Sequence, residues 1–281
     1  MSATEQPVRQ RRKRQGRTVE VVANERITPE MARLTFTAPE LAEFPELEFT
    51  DHYVKLLFPP PGADYAVAET LQHTEDEDLD QRPVTRTYTI RSFDRGARQL
   101  VMDFVVHGTE GIAGPWAAAA QPGEKITFYG PGGGFAPSDE LPDLLLAGDE
   151  SALPAIAAAV EALPPGVRAH TFVEVNTAAE ELPLPGVEVT WLHRKDLGTP
   201  PGVALAQAVR AADLPEQFTA FVHGNAEMIR DLRMYLFVER GLDRKKVSIS
   251  GYWRTGMTED LWQSTKREFV ESMDAAEGVG A

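Results

Sequence analysis

The hexapeptide Arg86-Thr87-Tyr88-Thr89-Ile90-Arg91 sets how the rest of the chain is read. β-Branched and aromatic residues alternate through it and turn composition lies on both sides, which predicts a β-strand. A period of two puts Arg86 and Tyr88 on one face and Thr87, Thr89 and Arg91 on the other. A cation, an aromatic plane and a small hydroxyl in so short a span suit a flat, diphosphate-bearing cofactor; an ordinary exposed strand is the alternative. Arginine makes paired bonds to phosphate oxygens. A tyrosine ring stacks on a planar ring system, and a threonine offers a hydroxyl and a backbone N–H to a ring nitrogen.

Strand-like signals surround the hexapeptide. From Arg17 to about Gly130, spans 18–23, 31–37, 53–58, 99–106 and 125–129 are short strand patterns bounded by Pro, Gly or Asp. With residues 86–91 they make a series of short strands with little helix between them, which predicts a six-stranded antiparallel β-barrel. Residues 69–82 break the series with an acidic insert in which Glu75, Asp76, Glu77 and Asp78 run together. A surface loop is expected there, with a docking surface as the alternative. After the fifth strand, His107-Gly108-Thr109-Glu110-Gly111-Ile112-Ala113-Gly114-Pro115-Trp116-Ala117 describes a tight loop opening a short helix. Glycine permits close backbone approach, Pro115 suits a first helical turn, and N–H groups there can face an anion. A plain strand–helix turn reads the same way.

Residues 131–142 are rich in Pro and Gly and lack periodicity, so the domain boundary falls there. Their glycines lack the strand–loop–helix setting and the following Lys-Ser/Thr of a phosphate loop. Beyond them the character changes. Residues 144–147 form a continuous apolar run, as in a strand buried on both faces. Gly148-Asp149-Glu150-Ser151 follows, then a helix over 152–163, strands over 170–175 and 187–192, and a helix over 203–212. A strand over 218–223, a helix over 226–239, a last strand over 247–250 and a helix over 259–273 complete the chain. Strands alternating with helices predict a doubly wound parallel α/β domain with a C-terminal helix, ligands binding at the C-terminal strand ends. The expected divisions are a basic disordered arm (1–16), a barrel domain (17–131), a linker (132–142), an α/β domain (143–258), and a C-terminal helix and tail (259–281).

Composition limits the chemistry. The chain has 281 residues and no cysteine, which excludes disulfides, a catalytic thiol and Cys-ligated clusters. Redox chemistry would then need a bound cofactor. His52, His73, His107, His170, His193 and His223 are scattered, and no metal site is expected. The formal net charge of −15 repels nucleic acid and anionic membrane, so an anionic ligand would need a local basic pocket. The one basic run, centred on Arg11, Arg12, Lys13 and Arg14, reads as a solvated tail, with a nucleic-acid or partner arm as the alternative. No apolar run approaches the roughly 20 residues of a membrane-spanning helix, and the N-terminus has no apolar signal core. A cytoplasmic monomer without membrane insertion is expected.

A barrel bearing Arg-x-Tyr-Thr followed by a parallel α/β domain resembles the ferredoxin–NADP reductase superfamily. Arg86-Thr-Tyr-Thr-Ile-Arg91, Asp103-Phe-Val-Val-His-Gly108, Gly111-Ile-Ala-Gly-Pro-Trp116, Gly148-Asp-Glu-Ser-Ala-Leu-Pro-Ala155 and Gly251-Tyr-Trp-Arg-Thr-Gly256 together resemble the siderophore-interacting protein family. Its members are FAD-dependent ferric-siderophore reductases. The resemblance implies that Arg86 contacts the FAD diphosphate, Tyr88 stacks on the isoalloxazine, and Thr89, beside Thr87, bonds its N5 edge. It implies that Asp103, Phe104, Val105 and His107 line the flavin and that Gly111, Ile112, Ala113, Gly114, Pro115 and Trp116 hold the pyrophosphate. Asp149, Glu150 and Ser151 would approach the flavin from the second domain, with Trp253 nearby.

The implied substrate is an anionic ferric siderophore. Hard oxygen ligands hold Fe(III) far more tightly than the softer Fe(II), so one electron opens the chelate. Lys55 and Arg254 are the candidate substrate-binding cations, each otherwise a structural side chain, and Arg91 and Arg194 are weaker options. NADH, NADPH or reduced ferredoxin would supply electrons, and no side chain need act as a catalytic acid or base. Two alternatives remain: a flavin reductase serving a protein acceptor such as ferredoxin, and a non-catalytic siderophore-binding module.

Overall fold

A computed structural model describes residues 16–73 and 79–278. The basic arm up to residue 15, the acidic run at 75–78 and the last three tail residues lie outside the described residues. Strands β1 (Gly16–Thr28), β2 (Met31–Thr37), β3 (Tyr53–Phe58), β4 (Val84–Asp94), β5 (Gln99–Val105) and β6 (Lys125–Gly132) close a barrel in the order β1-β2-β5-β4-β3-β6. All its pairings are antiparallel. Alternation explains the closure: Val54, Leu56 and Phe58 of β3, and Leu100, Met102 and Phe104 of β5, point into one core. Helix α1 (Ala113–Ala119) follows β5 and seats Trp116 edge-on against Phe58 and Phe104.

Strands β7 (Asp143–Asp149), β8 (Arg168–Val175), β9 (Val189–His193), β10 (Thr219–Asn225) and β11 (Val247–Trp253) form a parallel sheet in the order β11-β10-β7-β8-β9. Between them run α2 (Leu153–Glu161), the short α3 (Arg194–Leu197), α4 (Val203–Ala211) and α5 (Ala226–Arg233), and α6 (Glu259–Ala276) closes the chain. Helix α2 covers one face of the sheet, sharing an apolar cluster with Met31 of the barrel; α4, α5 and α6 cover the other. The expected helix over 226–239 ends at Arg233 and continues as a wider π-helical turn through Glu239. Strands β7, β10 and β11 each run two or three residues past their expected ends, because their backbone pairing carries the chain through Asp149, Asn225 and Trp253.

Charged contacts join the halves. Arg91 of β4 pairs with Glu161 of α2 at 2.5 and 2.9 Å. Arg86 of β4 pairs with Asp260 of α6 at 2.7 and 2.8 Å. Helix α6 is secured further by Trp262, Phe269 and Met273, which enter the sheet cluster, and by Arg233 and Arg244, which both hold Glu277. Trp262 packs edge-on against Phe269 at 5.2 Å. Gly251 of β11 leaves room for that indole, since a Cβ there would lie 3.0 Å from it. Trp262→Ala is expected to destabilise the fold by about 3–5 kcal/mol, the usual cost of emptying a large aromatic site, as read from urea denaturation midpoints.

Candidate functional site

The β3–β4 register sorts the hexapeptide. Tyr88 lies opposite Val54 and Arg86 opposite Leu56, while Thr87 faces Lys55 and Thr89 faces Tyr53. Cross-strand partners share a face, so Arg86 and Tyr88 look one way and Thr87, Thr89, Tyr53 and Lys55 the other. Phe104 backs the Tyr88 ring at 4.3 Å, and Burial, with Glu259 nearby, pushes the Tyr88 phenol well above its ordinary range. Arg86 is only 6% exposed. Gly114 lets α1 approach β5, since a Cβ there would sit 3.1 Å from the Val105 carbonyl oxygen. Gly111 holds a left-handed φ of 85° just before it. Ile112, Ala113 and Trp116 pack on the same barrel cluster as Tyr88 and Phe104. Pro115 stands in α1 between Gly114 and Trp116.

Other expected contacts take different partners. The Asp103 carboxylate is bound by both ends of the Arg33 guanidinium at 2.7 and 2.8 Å, so that side chain braces β2 against β5. Val105 packs toward the α2 side of the sheet, and His107 is exposed in the loop beyond β5. Phe104 is fully buried and supports Tyr88 from within the barrel. Arg194 grips Glu150 at 2.6 and 2.7 Å, and Ser151 donates to Asp149. Arg254 is drawn to Glu227 at 2.8 Å and lies over the Phe269 ring, on the α5–α6 side of the sheet. Arg254, the candidate substrate cation, is thus held in an internal ion pair, as are Arg91 and Arg194.

Asp149, the residue expected to approach the flavin from the second domain, forms a hub at the switch point between β7 and β10. It is 1% exposed. Its Oδ2 accepts the Asn225 N–H and the Trp253 indole N–H, both at 2.8 Å, and its Oδ1 accepts from Ser151. Gly224, with φ 135°, is required beside it, because a Cβ would fall 2.5 Å from Oδ2. The strand period then turns Tyr252 the opposite way from Trp253. Tyr252 packs with the barrel-side cluster, beside His223 at 5.0 Å. Burial and the nearby Asp51 and Asp149 raise its phenol well above the ordinary range. The helix N-termini along this edge are also taken. Asp149 accepts from Ser151 N just before α2, Glu174 accepts from Gly202 N and Leu205 N at α4, and Asn225 caps α5.

The sequence reading missed Lys266 of α6. Its Nζ donates to Ser250 of β11 at 3.1 Å. Burial, and then the neighbouring Lys55, lower its pKa. The helix thus carries a second ammonium toward the lysine on β3. His223 was also missed as a site neighbour; it stacks on Phe221 at 3.9 Å and bonds Ser248 through Nε2.

Burial, followed by repulsion from Glu150, pushes the Asp149 carboxyl up to about 7. In the unfolded chain an aspartate titrates near 3.9. Between about pH 4 and 7 the unfolded state binds fewer protons at this group, so its contribution to stability falls as pH rises. Burial, followed by Lys266, lowers His223 to about 3. An unfolded histidine titrates near 6.5, so between about pH 3 and 6.5 the His223 contribution is lost as pH falls. The two slopes oppose each other. Relative to the parent protein, Asp149→Asn is expected to steepen the loss of stability on acidification, and His223→Phe to flatten it. Urea midpoints measured from pH 4 to 7.5 check both signs.

Residues 20–135 match the family profile of the siderophore-interacting FAD-binding domain, and residues 141–256 that of the siderophore-interacting protein. An uncharacterized protein of Mycobacterium tuberculosis is 40% identical over 269 residues, spanning 90% of this chain and 95% of its own length. The ferric vibriobactin reductase of Vibrio cholerae is 29% identical, spanning 91% of this chain and 95% of its own. The siderophore-interacting protein SipS from Aeromonas hydrophila has a solved structure similar to this one, with TM-score 0.79 and 29% identity over 92% of this chain and 99% of that one. Its matching motifs and both halves of its architecture establish that this chain belongs to the siderophore-interacting protein family.

Proposed function

We propose that the protein is an FAD-dependent reductase that delivers electrons to the Fe(III) of an anionic ferric siderophore. The observation that carries the reading is the Arg-Thr-Tyr-Thr strand itself: a buried Arg86 fork that grips paired anionic oxygens, the Tyr88 ring against Phe104, and Lys55 opposite Thr87. Lys55 and Lys266 form a local basic pair that, in a protein of net charge −15, draws in negative charge beyond that of the nearby Glu259. A tris-catecholate ferric complex supplies that charge. The barrel residues suit FAD: a buried arginine that already holds carboxylates, a tyrosine ring backed by Phe104, and a glycine loop that admits close backbone approach. The name of the Vibrio relative agrees with this chemistry.

In this proposal Arg86 anchors the diphosphate, Tyr88 supports the ring system, and Thr89 orients its edge. Bound FAD supplies the capacity to take two electrons and release them one at a time. Lys55 and Lys266 gather the chelate by charge, and Tyr252 and the buried His223 keep water from the sheet side. The donor is a reduced nicotinamide or a ferredoxin. A dinucleotide docking along the sheet edge would meet helix N-termini already satisfied by Asp149, Glu174 and Asn225, which limits the anchoring of its phosphates there.

The purified protein should carry, or take up, a flavin spectrum and release Fe(II) from a ferric tris-catecholate to a chromogenic chelator. A protein that takes up no FAD, or holds FAD without yielding Fe(II), overturns the proposal. Lys55→Ala combined with Lys266→Ala should raise KM for that chelate about tenfold and change kcat less, with the gap narrowing in high salt.

A further inference from the structure

The first turn of α6 already places an anionic pair where the proposed cofactor needs a cation. Asp260 takes both terminal nitrogens of Arg86 at 2.7 and 2.8 Å. Glu259 Oε2 lies 3.5 Å from Arg86 Nε, and its Oε1 lies 3.5 Å from the Thr87 backbone N–H. Burial holds the Glu259 carboxyl above its ordinary range, against the opposing pull of Arg86 and Lys55. Two consecutive carboxylates thus span an arginine fork and the next backbone N–H. A diphosphate offers two linked anionic centres to the same donors.

We propose that Glu259 and Asp260 form an internal latch that competes with the FAD diphosphate for Arg86, so that cofactor loading requires Asp260 to swing away. This inference rests on the FAD reading above and concerns control of the same site. The exchange loosens the first turn of α6 and leaves the rest of the helix in place. The Asp260 side chain is 64% exposed, while Trp262, Phe269, Met273 and the Glu277 clamp fix the body of α6. The buried guanidinium is unfavourable without an anion, so carboxylate and phosphate replace one another rather than leave it bare. Apparent FAD affinity is then the intrinsic affinity reduced by the fraction of molecules with the latch open.

The test is FAD titration of the full-length apoprotein, followed by quenching of flavin fluorescence, for the parent, Glu259→Gln and Asp260→Asn. Asp260→Asn should bind FAD about tenfold more tightly, with Glu259→Gln shifted in the same direction by less. Equal or weaker binding by Asp260→Asn overturns the latch. Amide hydrogen exchange on the parent protein provides a reading that does not depend on a variant's fold. Residues 259–263 should exchange several-fold faster once FAD is bound, and unchanged or slower exchange there also overturns the latch. If the parent takes up no FAD at all, the cofactor reading falls and the latch with it; if it takes up FAD normally while both readouts stay flat, only the latch falls.

Discussion

A guanidinium withdrawn from water must keep an anion beside it, and much of this molecule is arranged around that requirement at Arg86. The arginine stands on a central barrel strand, and its partner comes from the first turn of the final helix. One ion pair therefore ties chain positions 174 residues apart and holds α6 against the barrel. The same helix buries Trp262 in the sheet cluster and brings Lys266 to the crevice. The carboxylate that ties the helix to Arg86 and the ammonium proposed to gather a ligand thus belong to one helix.

The sheet side is organised by a different economy of contacts. Asp149 satisfies an indole, a backbone amide and a hydroxyl from three separate segments, which draws the ends of β7, β10 and β11 together. Such a hub fills the crevice where a doubly wound sheet ordinarily admits a ligand. The proposed function therefore uses the side of the sheet that faces the barrel, where Tyr252 packs and where Lys55 stands on β3.

Much of the fold was legible because its signals are local. Alternation marked each barrel strand, and the apolar run at Leu144 marked a strand buried on both faces. The motif strand was also legible, since a period of two fixes which of its side chains share a face. Partners were not legible. Nothing near Asp103 in sequence points to Arg33, and nothing near Arg254 points to Glu227. The strand expected over 247–250 stops three residues short; pairing with β10 extends it through Trp253 and sends Tyr252 and Trp253 to opposite sides. Lys266 escaped notice because one lysine in an amphipathic helix looks like any surface charge until the helix is docked.

The docking of α6 also has a bearing on the order of assembly. Every strand of the barrel precedes residue 133, whereas the carboxylate that answers Arg86 lies at residue 260. A growing chain made from its N-terminus can therefore complete the barrel well before the closing helix exists. During that interval the arginine lacks the carboxylates of Glu259 and Asp260, and the sheet cluster lacks Trp262, Phe269 and Met273. The crevice is thus completed by a segment made after both the barrel and the sheet, and a chain cut short before residue 259 would hold every barrel strand while lacking the carboxylates that pair with Arg86.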